Sequence, residues 1–215
     1  MPRLAVTAAI CAALYGLAIG MVHSPLFAAR NMVKLPLLLL ATAAICGPAY
    51  YLLARLLGAR AGAGALLRLV LRMFHDTALL LAALAPASLF LALTLRRPDG
   101  IGLGDYPLFL GLNVAFVAAA GTLALARQAR GLLREQRLGL RRGLLVVASW
   151  LAVTLLVGGQ WAWYLRPFFG VSRQDTPFCL GSAADYRGAT NFYEAVYHLL
   201  RPPPLPAGFL RRGWR

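Results

Sequence analysis

The chain has 215 residues, 60% of them hydrophobic and 13% charged, with 22 Lys plus Arg against 7 Asp plus Glu. A soluble domain carries roughly 25% charged residues, and a charge at mid-bilayer costs at least ~2.5 kcal/mol, so the deficit points to a membrane. The positive balance does not indicate nucleic acid, because the arginines lie between apolar runs and no separate basic module stands outside them.

Five apolar runs follow one another, each about long enough to cross a hydrocarbon core as a helix, which takes roughly 20 residues. The first is Leu4 to Val22, in which Gly16-x-x-x-Gly20 offers a close helix contact. Its alternative reading is a cleaved secretory signal with Arg3 as the charged end. Val22-His23-Ser24 is tolerable for cleavage but lacks the usual small-x-small pattern, so a retained helix is expected. His23 to Lys34 then reads as a loop or as an interfacial helix with Phe27 and Met32 inward.

The second run is Leu35 to Ala54, with Pro36 in its first turn and Pro48 internal, and the third is Phe74 to Leu95, with Pro86 internal. Tyr106 to Ala126 is the fourth, where Gly111, Ala115 and Ala119 form a small-residue face for a neighbouring helix. Arg127, Arg130, Arg134 and Arg137 recur every three or four residues after it, as if the helix continued into water. With Arg141 and Arg142 they form candidate contacts for anionic lipid. The fifth run, Gly143 to Leu165, ends in Trp161, Trp163 and Tyr164, followed by Arg166, Phe168 and Phe169, which are expected to anchor at the membrane–water interface.

Five crossings put the N-terminus and the second and fourth loops on one side, with 11 arginines (Arg3, Arg55, Arg60, Arg68, Arg72, Arg127, Arg130, Arg134, Arg137, Arg141, Arg142). The other loops carry four positive residues (Arg30, Lys34, Arg96, Arg97). The positive-inside rule then predicts a cytoplasmic N-terminus and an extracytoplasmic tail. In that tail Asn191 and Glu194 read as a helix start, Phe192, Ala195, Val196, Leu199 and Leu200 follow at helical spacing, and Pro202-Pro203-Pro204 stops the helix.

Chemistry-bearing residues are few. His75 and Asp76 open the third run, and an ionisable residue in a span is a functional hypothesis by default. Arg72 lies four residues before Asp76 on the same helical face, so Arg72, His75 and Asp76 read either as a functional group or as a structural ion pair near the headgroups. Asn113 and Gln160 are the other polar residues well inside runs and are expected to bond across helix interfaces. Cys11 and Cys46 read as small buried hydrophobes, and Cys179 stands alone in the tail. Neither a metal site nor a cofactor is expected, and no catalytic motif is present.

Tyr15-Gly16-Leu17-Ala18-Ile19-Gly20, Lys34-Leu35-Pro36-Leu37-Leu38-Leu39, Leu84-Ala85-Pro86, Arg166-Pro167-Phe168-Phe169-Gly170 and Asn191-Phe192-Tyr193-Glu194-Ala195 together resemble a group of bacterial multi-pass membrane proteins likened to the five-span Yip1 type. The resemblance covers most of the chain. It implies fold and location; the group has no assigned activity, so no site residue carries over.

The sequence therefore predicts an all-α fold: a polytopic membrane helix bundle over 1–165, and an extracytoplasmic tail over 166–215 with a short amphipathic helix and a Pro-rich end. The heavy Ala, Leu, Arg and Gly usage, with a single lysine, suggests a GC-rich bacterial genome and so an inner membrane. The expected role is a non-enzymatic scaffold, anchor or accessory subunit, with the bilayer, anionic lipids and other membrane proteins or a second copy as partners. The alternative is a small transporter or proton-coupled channel component using His75 and Asp76. A lipid-modifying enzyme would require His75, Asp76 and tail residues to converge on one cavity.

Overall fold

The computed structural model describes residues 2–60, 62–97, 100–101, 105–136, 139–168, 178–179 and 189–200. Arg137, Phe169, Gly170 and the Pro202–Pro204 run lie outside them. The fold is helical: α1 (Pro2–Gly20), α2 (Pro25–Leu56), α3 (Ala63–Leu95), α4 (Tyr106–Gln136), α5 (Leu140–Tyr164) and the short α6 (Phe192–Leu200). Two short extended pieces, β1 (Arg96–Arg97) and β2 (Gly100–Ile101), pair antiparallel between α3 and α4. The first five helices are long and apolar enough to cross a membrane.

The outer surface agrees with that placement. Val6, Ile10 and Leu14 on α1, Leu37, Ile45 and Leu52 on α2, Phe90 on α3, Leu123 on α4 and Leu156 on α5 are all exposed. Large apolar side chains bared on every helix suit lipid, since a water-soluble monomer rarely exposes extended apolar patches. The chain is a multi-pass membrane protein.

Three helices, α2, α3 and α4, run well beyond the apolar runs. At about 1.5 Å per residue the 32 residues of α2, 33 of α3 and 31 of α4 exceed a hydrocarbon core of about 30 Å. Ser24 caps α2, its Oγ accepting from Phe27 N at 3.2 Å, and Pro25 occupies the first turn, where a missing N–H costs nothing. The segment from Pro25 to Lys34 is thus the beginning of α2 rather than a loop or a separate interfacial helix. Phe27 is buried and Met32 exposed, and Pro36 is internal instead of in the first turn. The helix stays continuous through Pro36 and Pro48, as α3 does through Pro86.

At its far end α2 closes with the 6→1 and 5→2 bonds of a Schellman turn, Ala59 N to Ala54 O at 2.9 Å and Gly58 N to Arg55 O at 3.0 Å. Gly58 takes the left-handed conformation that the turn requires, at φ 95°.

Helix α1 packs along both α2 and α3, α4 lies on α3, and α5 lies on α2. The close approach of α1 to α2 depends on Gly16 and Gly20. A Cβ at Gly16 would fall on the Asn31 carbonyl, and one at Gly20 would stand 2.5 Å from Ala28 Cα. The other small-residue face behaves differently. Ala115 and Ala119 are exposed and Gly111 half-buried, while Ala120 and Ala124, a different stripe of α4, are buried in the bundle.

Helix α6 rests on α4 and α5. Tyr193 lies over Gly159, and its hydroxyl donates to Leu155 O at 2.5 Å. Asn191 caps α6 through Oδ1, accepting from Glu194 N at 2.9 Å. The reciprocal bond runs to Thr190, whose N and Oγ1 both donate to Glu194 Oε2 at 2.8 Å, and these bonds hold the Glu194 carboxyl below the usual carboxylate range.

Candidate functional site

Four polar clusters interrupt the apolar interior. Asn113 is the hub of the first. Its Oδ1 accepts from Tyr15 Oη at 2.8 Å and from Ser88 Oγ, and its Nδ2 donates to Phe109 O at 2.8 Å. Tyr15, Ser88 and Asn113 are all buried. The cluster ties α1, α3 and α4 at one depth, and every polar atom of the Asn113 side chain is satisfied, so it is a helix clamp with no reactive group.

The second cluster joins α2 to α5. Trp150 stacks on Tyr50 with ring centroids 4.9 Å apart, and its Nε1 donates to Tyr50 O at 3.2 Å. The Tyr50 hydroxyl meets Thr154 Oγ1. Cys46 is buried beside this pair, as expected of a small hydrophobe.

His75 and Asp76 form the third. Asp76 Oδ2 accepts from Gln128 Nε2 of α4 at 2.7 Å, and Asp76 Oδ1 lies 3.5 Å from His75 Nδ1. Arg72 is exposed and does not reach Asp76; the carboxylate turns toward α4, not along its own helix. Arg72 and Arg127 stand exposed at about this level. Their side chains need water or headgroups, which puts Asp76 at the edge of the hydrocarbon layer rather than its centre.

The fourth cluster surrounds Lys34, whose contacts the apolar pattern does not announce. Phe27, Asn31 and Lys34 fall at i, i+4 and i+7, one face of α2. Lys34 is 0% exposed. Its Nζ donates to Pro167 O at 2.7 Å and lies 5.7, 5.8 and 5.1 Å from the ring centroids of Phe27, Phe168 and Phe178. Asn31, also 0% exposed, donates through Nδ2 to Phe168 O at 2.6 Å, while its Oδ1 has no partner among the described residues. Carbonyl dipoles and ring faces thus take the place of water around the ammonium. The signal in the sequence was that Lys34 is the only lysine in a chain whose other cations are arginine, three residues after the only asparagine in the first half.

The remaining candidates are surface residues. Arg127, Arg130, Arg134, Arg141 and Arg142 are exposed at the end of the bundle that holds the α2–α3 and α4–α5 connections. At the opposite end Trp161, Trp163 and Phe168 are half-buried and Tyr164 exposed, and the Arg166 guanidinium lies 3.6 Å from the Trp163 ring centroid. Gln160 is exposed on α5 rather than turned into a helix interface. His23, in the turn between α1 and α2, stacks on Phe27 with centroids 5.0 Å apart. Partial burial and the nearby Arg96 push its pKa below the ordinary imidazole value.

Among the described residues no three His, Cys, Asp or Glu side chains gather at metal distance. His75 and Asp76 sit near the arginine-rich end and the described tail residues near the other, so these groups do not converge on one cavity. No family model, curated protein or solved structure matches the chain.

Proposed function

We propose that the chain is a bacterial inner-membrane protein with a cytoplasmic N-terminus and extracytoplasmic tail, acting as a non-enzymatic scaffold, anchor or accessory subunit of a larger envelope complex. A place among the five-span Yip1-type proteins belongs to the same proposal. One observation carries it: the four polar clusters join helices to one another and to the chain after α5. Asn113 clamps three helices, Trp150 and Tyr50 join two, Gln128 meets Asp76, and Lys34 and Asn31 hold the chain after α5. A conduction path needs polar groups turned toward a lumen, and a catalytic centre needs a nucleophile or base aimed at a cavity; none of these clusters has that arrangement.

The test is purification of the tagged full-length chain in mild detergent. The accessory role predicts a defined complex with other envelope proteins, or a homo-oligomer; recovery as a lone, monodisperse monomer overturns it. The transporter reading draws support from the Asp76–Gln128 contact between α3 and α4. Proton flux into proteoliposomes that disappears in Asp76→Asn would establish it in place of the accessory role, and absence of flux in the wild type would remove it.

A further inference from the structure

The arginine-rich end of the bundle contains an open cavity of about 370 Å³ between the last turn of α2 and the first turn of α5, lined by Leu56, Leu57, Gly58, Arg141, Arg142 and Leu145. Its size falls within the ordinary range for small-ligand sites, about 300–1,000 Å³. The Schellman turn shapes one wall. Arg142 lies over that turn, its Nη1 standing 3.5 Å from where a Gly58 Cβ would be.

Neither Arg141 nor Arg142 makes a hydrogen bond or ion pair among the described residues. No acidic residue stands in the first turn of α5, so two positive side chains add to the positive end of the helix dipole there. The leucines give the cavity a second character. Leu56 is 82% and Leu145 49% exposed, and both belong to helices that enter the hydrocarbon layer. The site is thus cationic on one side and oily on the other, at the depth where lipid headgroups meet acyl chains.

We propose that this cavity binds the phosphate of an anionic phospholipid, held between Arg141 and Arg142, with the adjoining acyl chain lying along Leu56 and Leu145. Paired guanidinium groups suit phosphate because each presents a planar fork of donors to its oxygens. Arg127, Arg130 and Arg134 also face outward, but along α4 and not in the lining of this cavity, so they attract anionic lipid diffusely and serve as the internal comparison. The inference rests on the membrane placement and is independent of the accessory role, since its test does not involve partner proteins.

The full-length protein in a neutral detergent, titrated by native mass spectrometry, provides the test. The probes are dioleoylphosphatidylglycerol, dioleoylphosphatidylcholine and water-soluble glycerol 3-phosphate. One phosphatidylglycerol is expected to bind about tenfold or more tighter than phosphatidylcholine. Arg141→Gln with Arg142→Gln should erase that preference, whereas Arg127→Gln with Arg130→Gln should change affinity by less than about threefold. Leu145→Trp, which fills the cavity and keeps both arginines, should weaken binding as well. Equal binding of the two lipids, or equal losses from the two arginine pairs, overturns the proposal. Glycerol 3-phosphate binding as tightly as phosphatidylglycerol would leave the phosphate contact standing and overturn the lipid as its source.

Discussion

The arginines at one end of the bundle and Lys34 at the other hold positive charge in opposite ways. At one end Arg127, Arg130, Arg134, Arg141 and Arg142 stand exposed on helices that run past the hydrocarbon layer. At the other, Lys34 is fully buried, its ammonium set against the Pro167 carbonyl and the rings of Phe27, Phe168 and Phe178. A long arginine can lay its stem on apolar surface and keep its head in water, so helix and charge coexist without any tertiary partner. A compact ammonium has no such option once the chain after α5 folds over it. It then depends on fixed oxygens and ring faces, and it fastens the tail to α2 in return. Charge at the arginine-rich end is therefore a surface property, whereas the Lys34 charge is part of the packing.

Glycine gives the sharpest way to break this contrast, because one substitution should change sign between the ends. Gly16→Ala, at the α1–α2 approach beside Asn31, forces a methyl group onto a backbone carbonyl. An expected loss of about 3 kcal/mol follows from overpacking. Gly131→Ala, on the extension of α4 at the other end, meets nothing within 4 Å and should gain about 0.5–1 kcal/mol of helix propensity. Reversible unfolding in detergent, followed by circular dichroism, reads both; equal effects would mean that the tail end is not close-packed.

Lysine and arginine give the next largest difference. Lys34→Ala opens a cavity and leaves Pro167 O without its donor, for an expected cost of about 2–3 kcal/mol. Lys34→Met keeps the volume and should cost less. Arg130→Ala at the other end should stay within about 0.5 kcal/mol. Because Lys34 is the only lysine, a water-soluble amine reagent addresses this position and the α-amino group alone. Mass spectrometry should find Lys34 unmodified in the folded protein and modified after denaturation, while a dicarbonyl reagent labels Arg130 in both states. Prompt labelling of Lys34 in the folded state would abolish the distinction between the ends.

Why one end was legible in the sequence and the other was not follows from the same physics. Uninterrupted apolar runs mark hydrocarbon, so five spanning helices and the basic extension of α4 could be read directly. Helix limits could not, because α2 and α3 begin earlier, in stretches where Arg68 and Arg72 snorkel outward or Lys34 is buried by a distant segment. The cap of α6 was legible because it is local, although its reciprocal bond lands on Thr190 instead of Asn191. Choice of face was not legible on α4. Alanines occur all around that helix, and the buried stripe is Ala120 and Ala124 rather than Ala115 and Ala119. Asp76 likewise had two helical directions open to it, and its partner Gln128 lies 52 residues away.

The smallest expected effect is a pH dependence confined to the tail end. His23 is half-buried against Phe27, with Arg96 nearby, and burial first and Arg96 second push its pKa below the ordinary value. The folded chain therefore binds fewer protons here than the unfolded chain, whose imidazole titrates near about 6.5. Stability from the neutral ring is fully present above that value and is lost as pH falls through it toward the lower folded value. Thermal unfolding of the wild type should fall between about pH 7.5 and 5.5, and His23→Gln should flatten that part of the curve. Arg96→Gln should keep most of the slope, because burial is the larger cause. Arg130→Gln, at an exposed position of the opposite end, should leave the profile unchanged. A His23→Gln profile that matches the wild type would assign the titration to other groups and remove pH from the list of differences between the two ends.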